Sequence, residues 1–167
     1  MNGDPPYDPR SVANHLLDLA DSKRIETTHL KLQKLLFFAY GSFLSLYGKP
    51  LFKKGFEAWE YGPVNRLVYS QFRECGAEPI QTRALKTNII TDSQEICTQP
   101  LCAKSRACLE ETTEFYGRIP TAHLVEMCHR ADGAWHKVWH AKDGQVRLGL
   151  AINDHYILEE FSSYLYT

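Results

Sequence analysis

Two imidazoles at positions i and i+4, His136 and His140, form the strongest chemical pattern in this sequence. On a helix that spacing puts both rings on one face, as two ligands of a zinc hydrolase would be. The residue after the first histidine is Lys137, where such an enzyme carries a glutamate to activate the metal-bound water. A catalytic zinc also needs a third protein ligand and an open position. A small metal-dependent hydrolase using His136 and His140 is one reading, and two partly exposed surface histidines are the preferred one. Cys97, Cys102 and Cys108 are a second candidate ligand set, but gaps of four and five residues do not match the two-residue gap of a zinc knuckle. Cys128 and His129 are adjacent, so on a helix they point about 100° apart and cannot act as nucleophile and base. His129 is followed, across a glycine-containing break, by Trp135. A histidine held against an aromatic at such a corner is structural or lines a partner groove. Neither G-x-x-x-x-G-K-[ST] nor G-x-G-x-x-G occurs, which removes support for nucleotide chemistry. No cofactor, no metal site and no enzyme activity are expected, and a binding module is the better reading.

The elements that would position these residues are mostly helical. Asp8-Pro9 starts a helix, because Asp8 accepts from free backbone amides and Pro9 suits the first helical position. Val12, Ala13, Leu16, Leu17 and Ala20 then share one face, and Asp21–Glu26 reads as a loop. A second helix starts at Thr27 or Thr28 and ends at Gly48-Lys49-Pro50. Apolar residues cover most of its circumference, leaving Lys31, Lys34, Ser42, Ser45 and Lys49 as a narrow polar stripe. Such a helix is central, with others wrapped around it. Phe56 and Ala58 alternate with Glu57, Trp59 and Tyr61 as a short strand, and Gly62-Pro63 forces a turn. Asn65 caps a third helix that stops at Gly76. Residues 81–105 read as an irregular insertion, with short strands at Asn88–Ile90 and Glu95–Thr98. Later helices span Ala103–Tyr116, Thr121–Arg130 and Ala134–Ala141, and a last one starts at Asn153 or Asp154. In the first of these Cys108, Leu109, Thr112, Phe115 and Tyr116 face inward. In the last, Ile157, Leu158, Phe161, Tyr164 and Leu165 share a face. The expected fold is mainly α, one compact helical domain over 1–167 around a central apolar helix, with a few short strands.

Composition narrows the partners. Hydrophobic residues make up 44% and charged residues 23% of 167, and the formal net charge is −1. That balance gives no general hold on nucleic acid, which needs a surplus of lysine and arginine. The longest apolar run, Leu35–Gly48, has 14 residues and is too short to span a bilayer. No signal-peptide pattern is visible in Met1–Arg10. A soluble, cytoplasmic protein with no membrane partner is expected, its five cysteines reduced.

With these pieces placed, the chain resembles the Panacea domain family, which includes SocA-like antitoxins and phage-associated GepA-like proteins. The resemblance rests on Leu30-Lys31-Leu32-Gln33-Lys34-Leu35-Leu36-Phe37-Phe38-Ala39-Tyr40-Gly41, on Tyr47-Gly48-Lys49-Pro50-Leu51-Phe52, and on Phe56-Glu57-Ala58-Trp59 with Tyr61-Gly62-Pro63-Val64. Tyr116-Gly117, His129–Trp135 and the closing helix with Ile157 and Phe161 also fit. The likeness runs from Ser11 to Gly76 and from Phe115 onward, and lapses over Gln81–Ser105. It implies an antitoxin that neutralises a cognate toxin by direct contact, in some members as an adaptor to an ATP-dependent protease. A phage accessory protein with another partner is the alternative within the resemblance. The candidate partner surface is Trp59, Tyr61, Gly62, Pro63 and Val64 together with His129 and Trp135. Trp59 and Tyr61 alternate away from Phe56 and Ala58, so either one side of this aromatic strand is open to a partner or both rings belong to the core.

Overall fold

Of the 19 residues in the central helix, 13 are buried, so the rest of the chain is arranged around it. The computed structural model describes residues 3–141 and 149–164. Helix α1 covers Pro9–Ser22 and α2, the central helix, His29–Tyr47. A hairpin follows, β1 at Phe56–Trp59 and β2 at Gly62–Val64, leading into α3 at Arg66–Phe72 and a 3-10 turn at Arg73–Cys75. A second hairpin has β3 at Leu85–Thr87 and β4 at Gln94–Ile96. Then come α4 at Ala103–Tyr116, α5 at Thr121–Cys128, α6 at Ala134–Trp139, β5 at Leu150–Ile152 and α7 at Asp154–Tyr164.

Local chemistry sets the helix ends. Asp8 accepts from the Arg10 amide at 2.9 Å and Pro9 opens α1. Thr28 caps α2 by accepting from the Lys31 amide at 3.2 Å. Gly48, at φ +64°, closes it, donating to the Leu44 carbonyl at 2.8 Å. Helices α1, α4, α5 and α7 pack around α2. Phe38 stacks on Tyr116 at 4.2 Å, and Phe37 meets Phe56 and Phe161 edge-on at 5.4 and 5.5 Å. Gly41 makes the α7 approach possible, because a Cβ there would lie 2.2 Å from the Phe161 ring.

The main sheet has order β2-β1-β5 with both pairings antiparallel. Its third strand, β5, was not expected from the sequence, since three residues give too short an alternation to read. The fold is otherwise mainly α with short strands, as the residue patterns indicate.

Several expectations need correction. Lys31 and Lys34 do not form a polar stripe; both are buried, Lys34 fully. Their amines find backbone carbonyls on neighbouring segments, which makes burial tolerable. Phe115 does not face inward but is 70% exposed, because the helical period carries Thr113 into the core instead. Leu158 and Tyr164 are also on the outer side of α7, while Leu165 lies outside the described residues. Gly62 and Pro63 belong to β2, and the turn is one step earlier, at Glu60-Tyr61. Asn88–Ile90 is the bend between β3 and β4, not a strand: Asn88 accepts through its side chain from the Ile90 and Thr91 amides at 3.0 and 3.3 Å. Helix α1 runs into the expected loop as far as Ser22, and α6 ends at Trp139.

Candidate partner-binding site

Strand β1 pairs with β2 so that Trp59 opposes Gly62, leaving a two-residue loop of Glu60 and Tyr61. Phe56 and Ala58 point into the core, and Glu57 and Trp59 lie on the other face. Gly62 has φ +105°, a region that side chains with a Cβ rarely adopt. A Cβ there would also lie 2.9 Å from Lys34 Nζ and 3.4 Å from the Cys128 Cβ.

The hairpin is fixed from below by two polar residues of the apolar helix α2. Lys34 Nζ donates to the Pro63 carbonyl at 3.1 Å. Gln33 accepts from the Asn65 amide at 2.8 Å and donates to the Asn65 carbonyl at 3.2 Å. Asn65 in turn caps α3 by accepting from the Val68 amide at 3.1 Å, and donates to the Gly55 carbonyl at 2.8 Å. Lys31 does the same for a more distant segment, donating to the Gly117 carbonyl at 2.6 Å. Helix α2 thus bonds to both other pieces, Lys34 to Pro63 of the hairpin and Lys31 to Gly117. Sequence reasoning missed Gln33 and Lys34 as site-positioning residues. The signal was present: three long polar side chains, Lys31, Gln33 and Lys34, stand close together in a mostly apolar helix.

On the outer face Glu57 organises the aromatics. Arg66 donates to both Glu57 oxygens at 2.9 Å, and Trp59 Nε1 donates to Oε2 at 2.9 Å. Partial burial pushes the Glu57 carboxyl up, but the bonds from Arg66 and Trp59 outweigh it and hold it below the usual range. The Arg66 guanidinium lies 5.5 Å from the Trp59 ring centre, and Trp59 packs on Tyr69 at 4.7 Å. Tyr61 at the tip is 59% exposed. Between this tip, the start of α2 and α3 lies a groove of about 680 Å³, walled by Leu30, Trp59, Tyr61, Val64 and Tyr69. His29 borders it; its Nδ1 is buried with no hydrogen-bond partner among the described residues. Burial and the nearby Lys34 charge keep the His29 pKa below its ordinary value.

His129 and Trp135 meet as the sequence suggested. The rings stack at 3.8 Å and 18° across the corner between α5 and α6. Trp135 Nε1 donates to the Trp59 carbonyl at 2.7 Å, which joins this corner to the first hairpin. The stack continues to Trp139 at 5.4 Å. Glu160 on α7 accepts from the Ala134 amide at 2.9 Å and so caps α6. Burial, then the charges of Lys34 and His140, hold the His129 pKa below its usual value.

Of the seven candidate residues, Tyr61 is exposed, and Trp59 and His129 are half-buried. Gly62, Pro63, Val64 and Trp135 are buried, Val64 forming groove floor. His136 and His140 do share a helix face, with ring centres 4.4 Å apart. Among the described residues no three His, Cys, Asp or Glu side chains converge as metal ligands. Cys97, Cys102 and Cys108 diverge, Cys108 donating to the Ala39 carbonyl and Cys102 meeting Ser105. No described helix is long and apolar enough to cross a membrane.

Comparison with known proteins decides the family. The family described as antitoxin SocA-like, Panacea domain, matches residues 32–136, a span that holds both the α2 polar pair and the His129–Trp135 corner. The protein belongs to the SocA-like Panacea family. Antitoxin SocA of Caulobacter vibrioides (strain NA1000 / CB15N) is similar to it, 37% identical over 154 residues that cover 92% of this chain and 82% of that protein. No solved structure gives a significant match. Family membership assigns the chain an antitoxin-like role in a toxin–antitoxin system.

Proposed function

We propose that this protein neutralises its cognate toxin by direct contact in the cytosol, at the groove beside the β1–β2 loop. Tyr61 and Trp59 supply the contacting rings. Gly62, Pro63, Val64, His129 and Trp135 support them, setting the loop's shape from beneath and from the side. The observation that carries the reading is a largely exposed tyrosine on a two-residue loop whose next residues are tied to α2. A rigid aromatic loses little conformational entropy on binding, and interface anchors are enriched in such residues. Family membership supports the partner class. Delivery of the captured toxin to an ATP-dependent protease is a further step that the family resemblance supports. A toxin half-life shortened by this protein, in cells with that protease and not without it, would support the step.

Co-expression with the product of the neighbouring gene tests the central reading. Tyr61→Ala should leave the melting temperature unchanged and weaken toxin capture by roughly thirtyfold, the equivalent of about 2 kcal/mol. Trp59→Ala should do the same once shown to be folded. Full growth rescue by both folded variants would rule out this surface. A neighbouring product that is harmless when expressed alone would remove the antitoxin reading.

A further inference from the structure

The far end of α2 carries a second apolar surface, about 20 Å along the helix from the first at ~1.5 Å per residue. Two lobes, of about 730 and 570 Å³, run between α2 and α4 and on toward α7. They share Ser42, Leu46, Glu111, Phe115 and Tyr116. Phe115 is 70% exposed and Leu46 52%, and Phe115 packs against Tyr116, which stacks on Phe38 of the core. The rim is acidic. Glu110, Glu111 and Glu114 line the first lobe. Glu114 pairs with Lys23, while Glu110 and Glu111 have no ion-pair partner among the described residues. In the second lobe the Arg130 guanidinium is placed over the Tyr164 ring.

We propose that this groove receives a basic amphipathic helix of a protein partner. Three features select that occupant. Exposed Phe115 and Leu46 need apolar cover. The unpaired carboxylates of Glu110 and Glu111 call for lysine or arginine at the flank. The walls are helices whose backbone bonds are internal, so they offer no edge to an extended strand, whereas an incoming helix satisfies its own amides. A lipid surface is disfavoured, because anionic headgroups would meet the unpaired carboxylates of Glu110 and Glu111. The proposal stands apart from the toxin reading and holds whichever protein carries the helix.

The probe is a synthetic peptide of about 18 residues, leucine and lysine at helical amphipathic spacing, roughly 27 Å long as a helix. Its controls replace lysine by glutamate, or alternate the same residues at period two. Each is titrated into the isotope-labelled full chain and followed by backbone NMR shifts. The lysine helix should bind saturably, with shifts centred on Leu46, Phe115, Tyr116, Met127 and Tyr164 and not on Trp59 or Tyr61. The double charge reversal Glu110→Lys with Glu111→Lys, and separately Phe115→Ser, should each weaken it by about tenfold or more. All these positions are exposed, so the folded state is unaffected. No saturable binding, equal binding of the glutamate peptide, shifts elsewhere, or indifference to the substitutions would overturn the proposal. So would self-association of the free protein that Phe115→Ser abolishes, which would assign the groove to a second copy of the chain.

Discussion

Replacing Lys34 by methionine tests how the β1–β2 hairpin is held. The Lys34 amine is fully buried and makes one hydrogen bond among the described residues, to the Pro63 carbonyl at 3.1 Å. Burial lowers its pKa from 10.5 to about 8, with the neighbouring Cys128 acting the other way. That fall corresponds to about 3 kcal/mol of cost carried by the charged folded form. Below pH 8 both folded and unfolded states hold the proton, and the whole cost is present. Between pH 8 and 10.5 the unfolded chain keeps a proton that the folded chain has lost, so stability rises with pH. The cost is therefore about 3 kcal/mol at pH 7 and below about 1 kcal/mol at pH 10. Methionine fills similar volume without this cost, but forgoes a hydrogen bond worth about 1 kcal/mol. Lys34→Met should be more stable than wild type by about 2 kcal/mol at pH 7, and the gap should close by roughly 2–3 kcal/mol by pH 10. Burial also raises the Cys128 thiol and the Tyr116 hydroxyl to about 12, which lowers the stability of both proteins at high pH. The difference between the two chains, not either curve alone, is the readout. Urea unfolding followed by far-UV circular dichroism from pH 7 to 10 measures it. A gap that stays constant within about 0.5 kcal/mol over that range would refute the buried-charge account.

Gly62→Ala should destabilise by about 2–3 kcal/mol in the same assay, from its φ of +105° and the displacement of Lys34; an unchanged midpoint would mean the loop relaxes freely. Gly41→Ala should cost about 3 kcal/mol or more, because its Cβ would lie 2.2 Å from the Phe161 ring and α7 would have to retreat; a loss under about 1 kcal/mol would show that α2 and α7 are not in register as described. Ile89→Ser with Ile90→Ser should leave the melting temperature unchanged, since these side chains are 97% and 94% exposed at the β3–β4 bend, and a shift equivalent to more than about 0.5 kcal/mol would place them against something.

Helix α2 and its ends were legible because caps and apolar spacing are local. The Asp8 and Thr28 caps act within three residues, and an apolar helix must be central whatever packs on it. The His129–Trp135 stack was legible for the same reason, being closed by one short corner. What the sequence concealed depends on contacts across the fold. Lysine in a helix reads as solvated until a carbonyl such as Pro63's or Gly117's is brought over it from 29 or 86 residues away. Phe115 reads as core because it lies at helical spacing from Cys108 and Thr112, and the packing of α4 on α1 and α2 turns Thr113 inward in its place. Strand β5 gains its identity from β1, roughly ninety residues earlier in the chain, and not from its own three residues. Within the site, the motif residues of α2 and β2 are mutual supports, and the open ring is Tyr61 on the loop between the strands.

The chain has three tryptophans, and all of them belong to one cluster: Trp135 is bonded to the Trp59 carbonyl and stacked on Trp139. Indole emission is therefore a reporter of the hairpin face alone. An occupant beside Tyr61 will change the emission spectrum, whereas a helix bound over Phe115 will leave it unchanged and shift only tyrosine and amide signals. Because Trp135 lies flat against His129, the same emission also reads the imidazole's protonation. Burial displaces that protonation to lower pH than a free imidazole's, and the cation then forms against the indole face; His140, edge-on to the same ring at 5.9 Å, must be replaced for the signal to report His129 alone.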